Sequence, residues 1–149
     1  MRAVHDGVGE LLMDEAAIQA EVARLGAQIS ADYAGKSLHV IGVLKGAAVF
    51  LADLMRAVTI PATLDFISIV PYGQVTASGV VRIRKDLDEP LEGKDVLVVE
   101  GVCASGLSLS YLLRTVHYVG REIPDVFVVG YGLDAQEQYR NLPYLARLA

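Results

Sequence analysis

"HVIGVL" (39–44), "ATLDFISIV" (62–70) and "DVLVVE" (95–100) are short, nearly unbroken apolar runs separated by helix-like segments. That constrains the fold more than any other feature. Alternating polar and apolar residues suit a half-wet strand, whereas continuous runs suit strands covered on both faces of a parallel sheet. Between the runs the period changes. Ile18, Val22, Leu25, Ile29 and Tyr33 step by three and four after a capping Asp14 and stop near Gly35, which predicts a helix. Phe50, Leu51, Leu54, Met55 and Val58 mark a second helix that ends before Pro61. Strand and helix alternating in this way predict an open α/β sheet with right-handed crossovers.

Three strand-to-helix junctions carry glycine: Lys45-Gly46, Gly101 to Gly106, and Gly130 to Gly132. Ligand crevices of open α/β sheets lie at the carboxyl ends of the strands, so all three junctions should face one edge. "VFVVGYGLDAQEQYRNL" reads as another apolar strand, glycines and a short helix capped by Asp134. "VVRIRK" predicts an outer strand with Val81 and Ile83 on one face and Arg82 and Arg84 on a wet one, and "PYGQVTASG" (71–79) a mobile loop.

At 149 residues the chain fits a single domain, 1–149. A 53% apolar composition and a mean hydropathy of +0.41 are high for this size, which points to a subunit interface. The net charge is −5 and no basic stripe is present, so nucleic acid is not an expected partner; nor is a membrane, since Lys45 and Asp53 break the most apolar stretch. A single cysteine excludes an internal disulfide, and the N-terminal stretch lacks a sustained apolar core, so a cytoplasmic protein is expected.

"VVEGVCASGLSLSYLL" (98–113) almost spells a nucleotide-triphosphate loop, but Leu107 stands where the lysine would be. Spacing leaves two readings open: a tight turn with a helix cap, or an anion nest of amides and the Ser105 and Ser108 hydroxyls. Lys45 at a strand end is a second candidate anion contact, with a plain exposed lysine as the alternative. The three histidines lack metal-ligand spacing.

Together these stretches resemble the 6-oxopurine phosphoribosyltransferases, the hypoxanthine-guanine salvage enzymes. "GVLKGAAVFLADL" is similar to that family's pyrophosphate loop, "PYG" to the start of its flexible catalytic loop with Pro71 in place of serine, and "VGREIPDVFVVGYGLDAQEQYRNLPY" to its purine-proximal and C-terminal motif. The resemblance implies a phosphoribosyltransferase-type open parallel sheet flanked by helices. It implies Lys45, Gly46 and Arg140 on pyrophosphate, with Ser105, Gly106, the Leu107 amide and Ser108 on the PRPP phosphate. Tyr72 would close over the site, Phe127 would stack on the purine, and Val128 would offer it backbone groups. Glu100 and Asp134 would hold Mg²⁺. Expected ligands are PRPP, GMP, IMP and pyrophosphate, and the expected assembly is a homodimer or homotetramer.

Two departures stand out. Where the family's PRPP motif carries a second acid and a later proton-exchanging aspartate, this chain has Gly101 and Ala104. "SYLLRTVHYVGREIPD" also runs directly from the helix to the purine motif, so one core strand, with the lysine that reads the 6-oxo group, has no counterpart. The exposed edge should be covered by "HYVGREI" or paired in a dimer. The resemblance thus implies retained phosphate binding with transfer weak or lost. Two alternatives stand beside it: a working enzyme that takes acid/base and purine contacts from elsewhere, such as Asp86 or Asp88 on a neighbouring loop or a partner subunit, and a non-catalytic interaction subunit paired with itself or an intact relative.

Overall fold

The Asp14 cap forms as its sequence requires. Its Oδ1 accepts the Ala17 amide at 2.8 Å and starts helix α1, Glu15–Asp32. The computed structural model describes residues 6–71, 81–103 and 118–149. Within them the first strand is β1 (Val8–Met13), followed by α1, β2 (Leu38–Leu44), α2 (Ala48–Ala57), β3 (Ala62–Pro71), β4 (Val81–Lys85) and β5 (Asp95–Val99). Two short strands, β6 (Val128–Val129) and β7 (Leu145–Leu148), complete the chain. None of the described helices is long and apolar enough to cross a membrane.

The main sheet has the order β4-β3-β2-β5. The β2 strand lies parallel to both β3 and β5, and it is buried along all but its last residue, as its unbroken apolar run requires. Side chains alternate across a strand, so the run feeds two cores. Leu38 and Val40 pack with Leu25 and Ile29 of α1 and with Leu51 and Leu54 of α2. Ile41 and Val43 pack with Ile67, and with Leu87 and Leu91 of the connection before β5. Among the described residues, therefore, helices cover one face and a connecting segment covers the other. The helix expected after residue 108 lies outside the described residues.

Four sequence expectations are corrected. The sheet is mixed, because β4 joins β3 antiparallel. The alternation in β4 does not produce one dry face: Ile83 is 46% exposed, because β4 sits at an edge with nothing described packed on it. The β5 strand is half-buried rather than sealed on both faces, since it ends the sheet on the other side among the described residues. "VFVVG" does not join the parallel sheet; β6 pairs antiparallel with β7, and β7 with β1, in a separate small sheet.

The described part of "HYVGREI", residues 118–123, does not pair with the sheet edge as a strand, although Tyr118 packs against the core cluster that holds Val99 of β5. Arg24 of α1 donates to the carbonyls of Val119 and Gly120, and the Tyr118 hydroxyl donates to Asp32, so this stretch leans on α1 instead. With 118–123 drawn onto the helix, no described strand pairs with the outer side of β5.

One buried carboxylate ties β3 to the connection after β4. Asp65 accepts the amides of Phe66 and Asp88, and Lys85 donates to it at 3.3 Å. Burial pushes its pKa up, but these three donors outweigh burial and hold the carboxyl below the usual range. A pKa depressed by folding contributes stability above the unfolded-state value, and that contribution is lost as pH falls through the folded one. Asp65→Asn should therefore be less stable than the parent at pH 7, with the gap narrowing below pH 4 in urea melts. A gap that does not change with pH would contradict the ionised assignment.

Candidate active site

The three glycine junctions do converge. At the end of β2 the Leu44–Lys45 peptide is cis. The Ala47 and Ala48 amides then bond back to the carbonyls of Val43 and Lys45, turning the chain into α2. The Gly46 carbonyl this turn exposes is met by both other junctions. A Cβ on Gly101 would lie 3.0 Å from that oxygen, and one on Gly132 would lie 2.6 Å from it. Gly132 must be glycine, for this close backbone approach and for a φ of +96°, whereas a side chain at Gly101 would be tight against the same oxygen.

The expected helix at Asp134 does not form, although its capping contact does: Asp134 Oδ2 accepts the Glu137 amide at 2.8 Å. Gln136 and Glu137 have φ of +52° and +64°, and the Gln138 amide returns to the Ala135 carbonyl, so the chain makes tight turns instead. Arg140 fastens the loop by donating to the Gly132 carbonyl at 2.7 Å.

That loop gathers charge. Arg140 Nη2 lies 2.9 Å from Asp134 Oδ1 and 3.2 Å from Glu137 Oε1. The other Glu137 oxygen, Oε2, takes a hydrogen bond from Lys45 Nζ at 2.9 Å. Lys45 from the β2–α2 junction and Arg140 from the C-terminal loop thus meet on one carboxylate. Hydrogen bonds from Lys45 and then Arg140 hold the Glu137 carboxyl below its usual range. Glu137 is the site residue that sequence reading missed; its only signal was a position three after Asp134 and three before Arg140.

Glu100, at the end of β5, accepts the Gly101 amide at 3.0 Å, and burial pushes its carboxyl up despite that bond. Phe127 is 62% exposed, and its carbonyl accepts the Leu148 amide. Val128 lies in β6, whose outer edge is unpaired among the described residues. Tyr72, Ala104, Ser105, Gly106, Leu107 and Ser108 lie outside the described residues. Within one chain Asp88 lies away from the glycine edge, and Asp86 accepts the Leu87 amide in the same connection. Asp88 is bound to Lys85 beside Asp65, and Asp65 pairs with Ile41, three residues before Leu44. At the rise of a strand that is about 10 Å from the junction.

A mostly parallel sheet with glycine junctions meeting at one edge, and a lysine at the end of a central strand, is the architecture of α/β proteins of the nucleotide-handling kind. The profile of the phosphoribosyl transferase domain matches residues 9–131. The chain is 40% identical over 171 aligned positions to the hypoxanthine-guanine phosphoribosyltransferase of Bacillus subtilis (strain 168), covering 97% of this chain and 94% of the relative. A solved hypoxanthine-guanine phosphoribosyltransferase of Bacillus anthracis superposes with a TM-score of 0.90 at 38% identity, over 95% of this chain and 99% of that one. The hypoxanthine phosphoribosyltransferase of Trypanosoma cruzi in complex with IMP does so with a TM-score of 0.89 at 31% identity, over 99% and 97%. The chain belongs to the hypoxanthine-guanine phosphoribosyltransferase family.

Proposed function

We propose that this chain binds the phosphate-bearing ligands of purine salvage while transferring phosphoribosyl groups weakly or not at all. The reaction of the family joins a 6-oxopurine to PRPP and releases pyrophosphate. The carrying observation is the meeting of Lys45 and Arg140 at the glycine edge, next to a loop with no carboxylate between Gly101 and Gly106. The alignment with the Bacillus subtilis relative is longer than the 149 residues of this chain, so the relative has positions without a counterpart here. That supports the absence of the strand and its purine-reading lysine.

In this reading Lys45, the Gly46 backbone and Arg140 hold pyrophosphate. The Ser105 and Ser108 hydroxyls and the Gly106 and Leu107 amides hold the PRPP phosphate. Tyr72 closes over the site. Phe127 offers its exposed ring to the purine, and the edge of β6 at Val128, unpaired among the described residues, offers backbone groups. Oxygen donors at Glu100 and Asp134 suit a hard cation held mainly by ligand phosphates, although both Asp134 oxygens already have partners. Mg²⁺ bound there would neutralise charge on the leaving pyrophosphate. What this chain lacks is a group to move the purine proton, and losing a positioned acid or base costs about 10²–10⁴-fold in rate.

The assembly proposed is a homo-oligomer in the cytoplasm, in keeping with the apolar composition and with exposed Leu64 and Ile83. Calorimetric titration with GMP and IMP should give saturable binding. Absence of any nucleotide binding would favour an interaction subunit instead.

A further inference from the structure

We propose that Glu137 is a displaceable carboxylate that fills the anion seat between Lys45 and Arg140 and swings out when pyrophosphate enters. The inference deepens the reading above and rests on it. Its two carboxylate oxygens are divided between two cations from distant parts of the chain: Oε2 to Lys45 Nζ at 2.9 Å and Oε1 to Arg140 Nη2 at 3.2 Å. A phosphate group placed between these cations would use the same two contacts.

Three features separate this carboxylate from a fixed structural bridge. Its side chain is 64% exposed, so nothing packs it in place. Its backbone is held in a tight turn by Asp134 Oδ2 on its amide, so the side chain alone has to move. Arg140, by contrast, keeps its hold on the Gly132 carbonyl and on Asp134 without Glu137, so the seat survives when the carboxylate leaves. Glu137 thus prevents two facing cations from repelling each other in the empty protein, and lowers apparent anion affinity by the fraction of time it fills the seat.

The test is titration of sodium pyrophosphate into the full chain at fixed ionic strength. Glu137→Gln, which is isosteric and uncharged, should bind about three- to tenfold more tightly than the parent. Glu92→Gln, which removes the same charge from an exposed turn elsewhere, should bind as the parent does. Lys45→Ala should lose most of the binding. A purely structural bridge would show the opposite sign, with Glu137→Gln weaker, and equal or weaker binding overturns the proposal. If it does so while Lys45→Ala still loses binding, the anion seat stands and only the role of Glu137 fails. If Lys45→Ala binds as the parent does, or no variant binds at all, the seat itself is wrong and the inference falls with it.

Discussion

Ala104→Asp should raise hypoxanthine transfer about a hundredfold over the parent, measured as initial rates with radiolabelled hypoxanthine, PRPP and Mg²⁺. The figure sits at the low end of the range for a positioned acid or base, because the proposed reading also leaves the purine without its strand-borne lysine. Gly101→Asp should add nothing and lower the melting temperature. Its Cβ would meet the Gly46 carbonyl oxygen at 3.0 Å and Leu133 Cδ2 at 3.2 Å, so the second acid of the family motif would crowd the junction and push its neighbours aside by a few tenths of an ångström. The two positions are therefore expected to respond differently, Ala104 as the place of a missing proton carrier and Gly101 as a crowded junction. An Ala104→Asp protein that binds PRPP yet gains no rate would make the missing strand the dominant defect.

Gly130→Ala should be the most damaging single methyl addition in the described chain. Gly130 has a φ of +98°, and a Cβ there would lie 2.0 Å from the Tyr144 carbonyl oxygen and 3.2 Å from its carbon. Both obstacles are backbone, in the segment that brings β7 beside β6, so neither can rotate away. Left-handed strain alone costs about 1–2 kcal/mol; with the clash the loss should exceed about 3 kcal/mol, or about 6–12 °C in melting temperature at this chain length. Gly93→Ala separates the two contributions, since its φ of +73° carries strain with nothing within 4 Å. It should cost only about 1–2 kcal/mol. Equal melting temperatures for the two variants would contradict the close approach.

The local rules of the fold were legible in the sequence. The Asp14 cap, the three-and-four spacing of α1 and the apolar run of β2 each state a local preference that the packing agrees with. The meeting of the Lys45-Gly46 and Gly101 junctions was legible too, because both follow parallel neighbours in one sheet; Gly132 joins them from a separate small sheet, which strand order in an open sheet does not foretell. Non-local pairing was not. Nothing in "VGELLM" or "LARL" says that the two ends of the chain should pair, and that pairing is what draws β6 out of the main sheet. The helix expected at Asp134 failed because a cap is only a local offer: the left-handed residues that follow spend it on a turn. Glu137 stayed hidden for the same reason, since its partner Lys45 is 92 residues away.

The separation of anion binding from proton transfer is tested most directly by two successive injections in one calorimeter cell. PRPP with Mg²⁺ goes first into the unaltered protein, and hypoxanthine second. The expected record is a saturable binding isotherm, then only the heat of mixing, or reaction heat equivalent to turnover 10²–10⁴-fold below the ordinary enzyme range of about 1–10³ s⁻¹. A flat first titration, or sustained reaction heat at an ordinary rate on adding hypoxanthine, would contradict it.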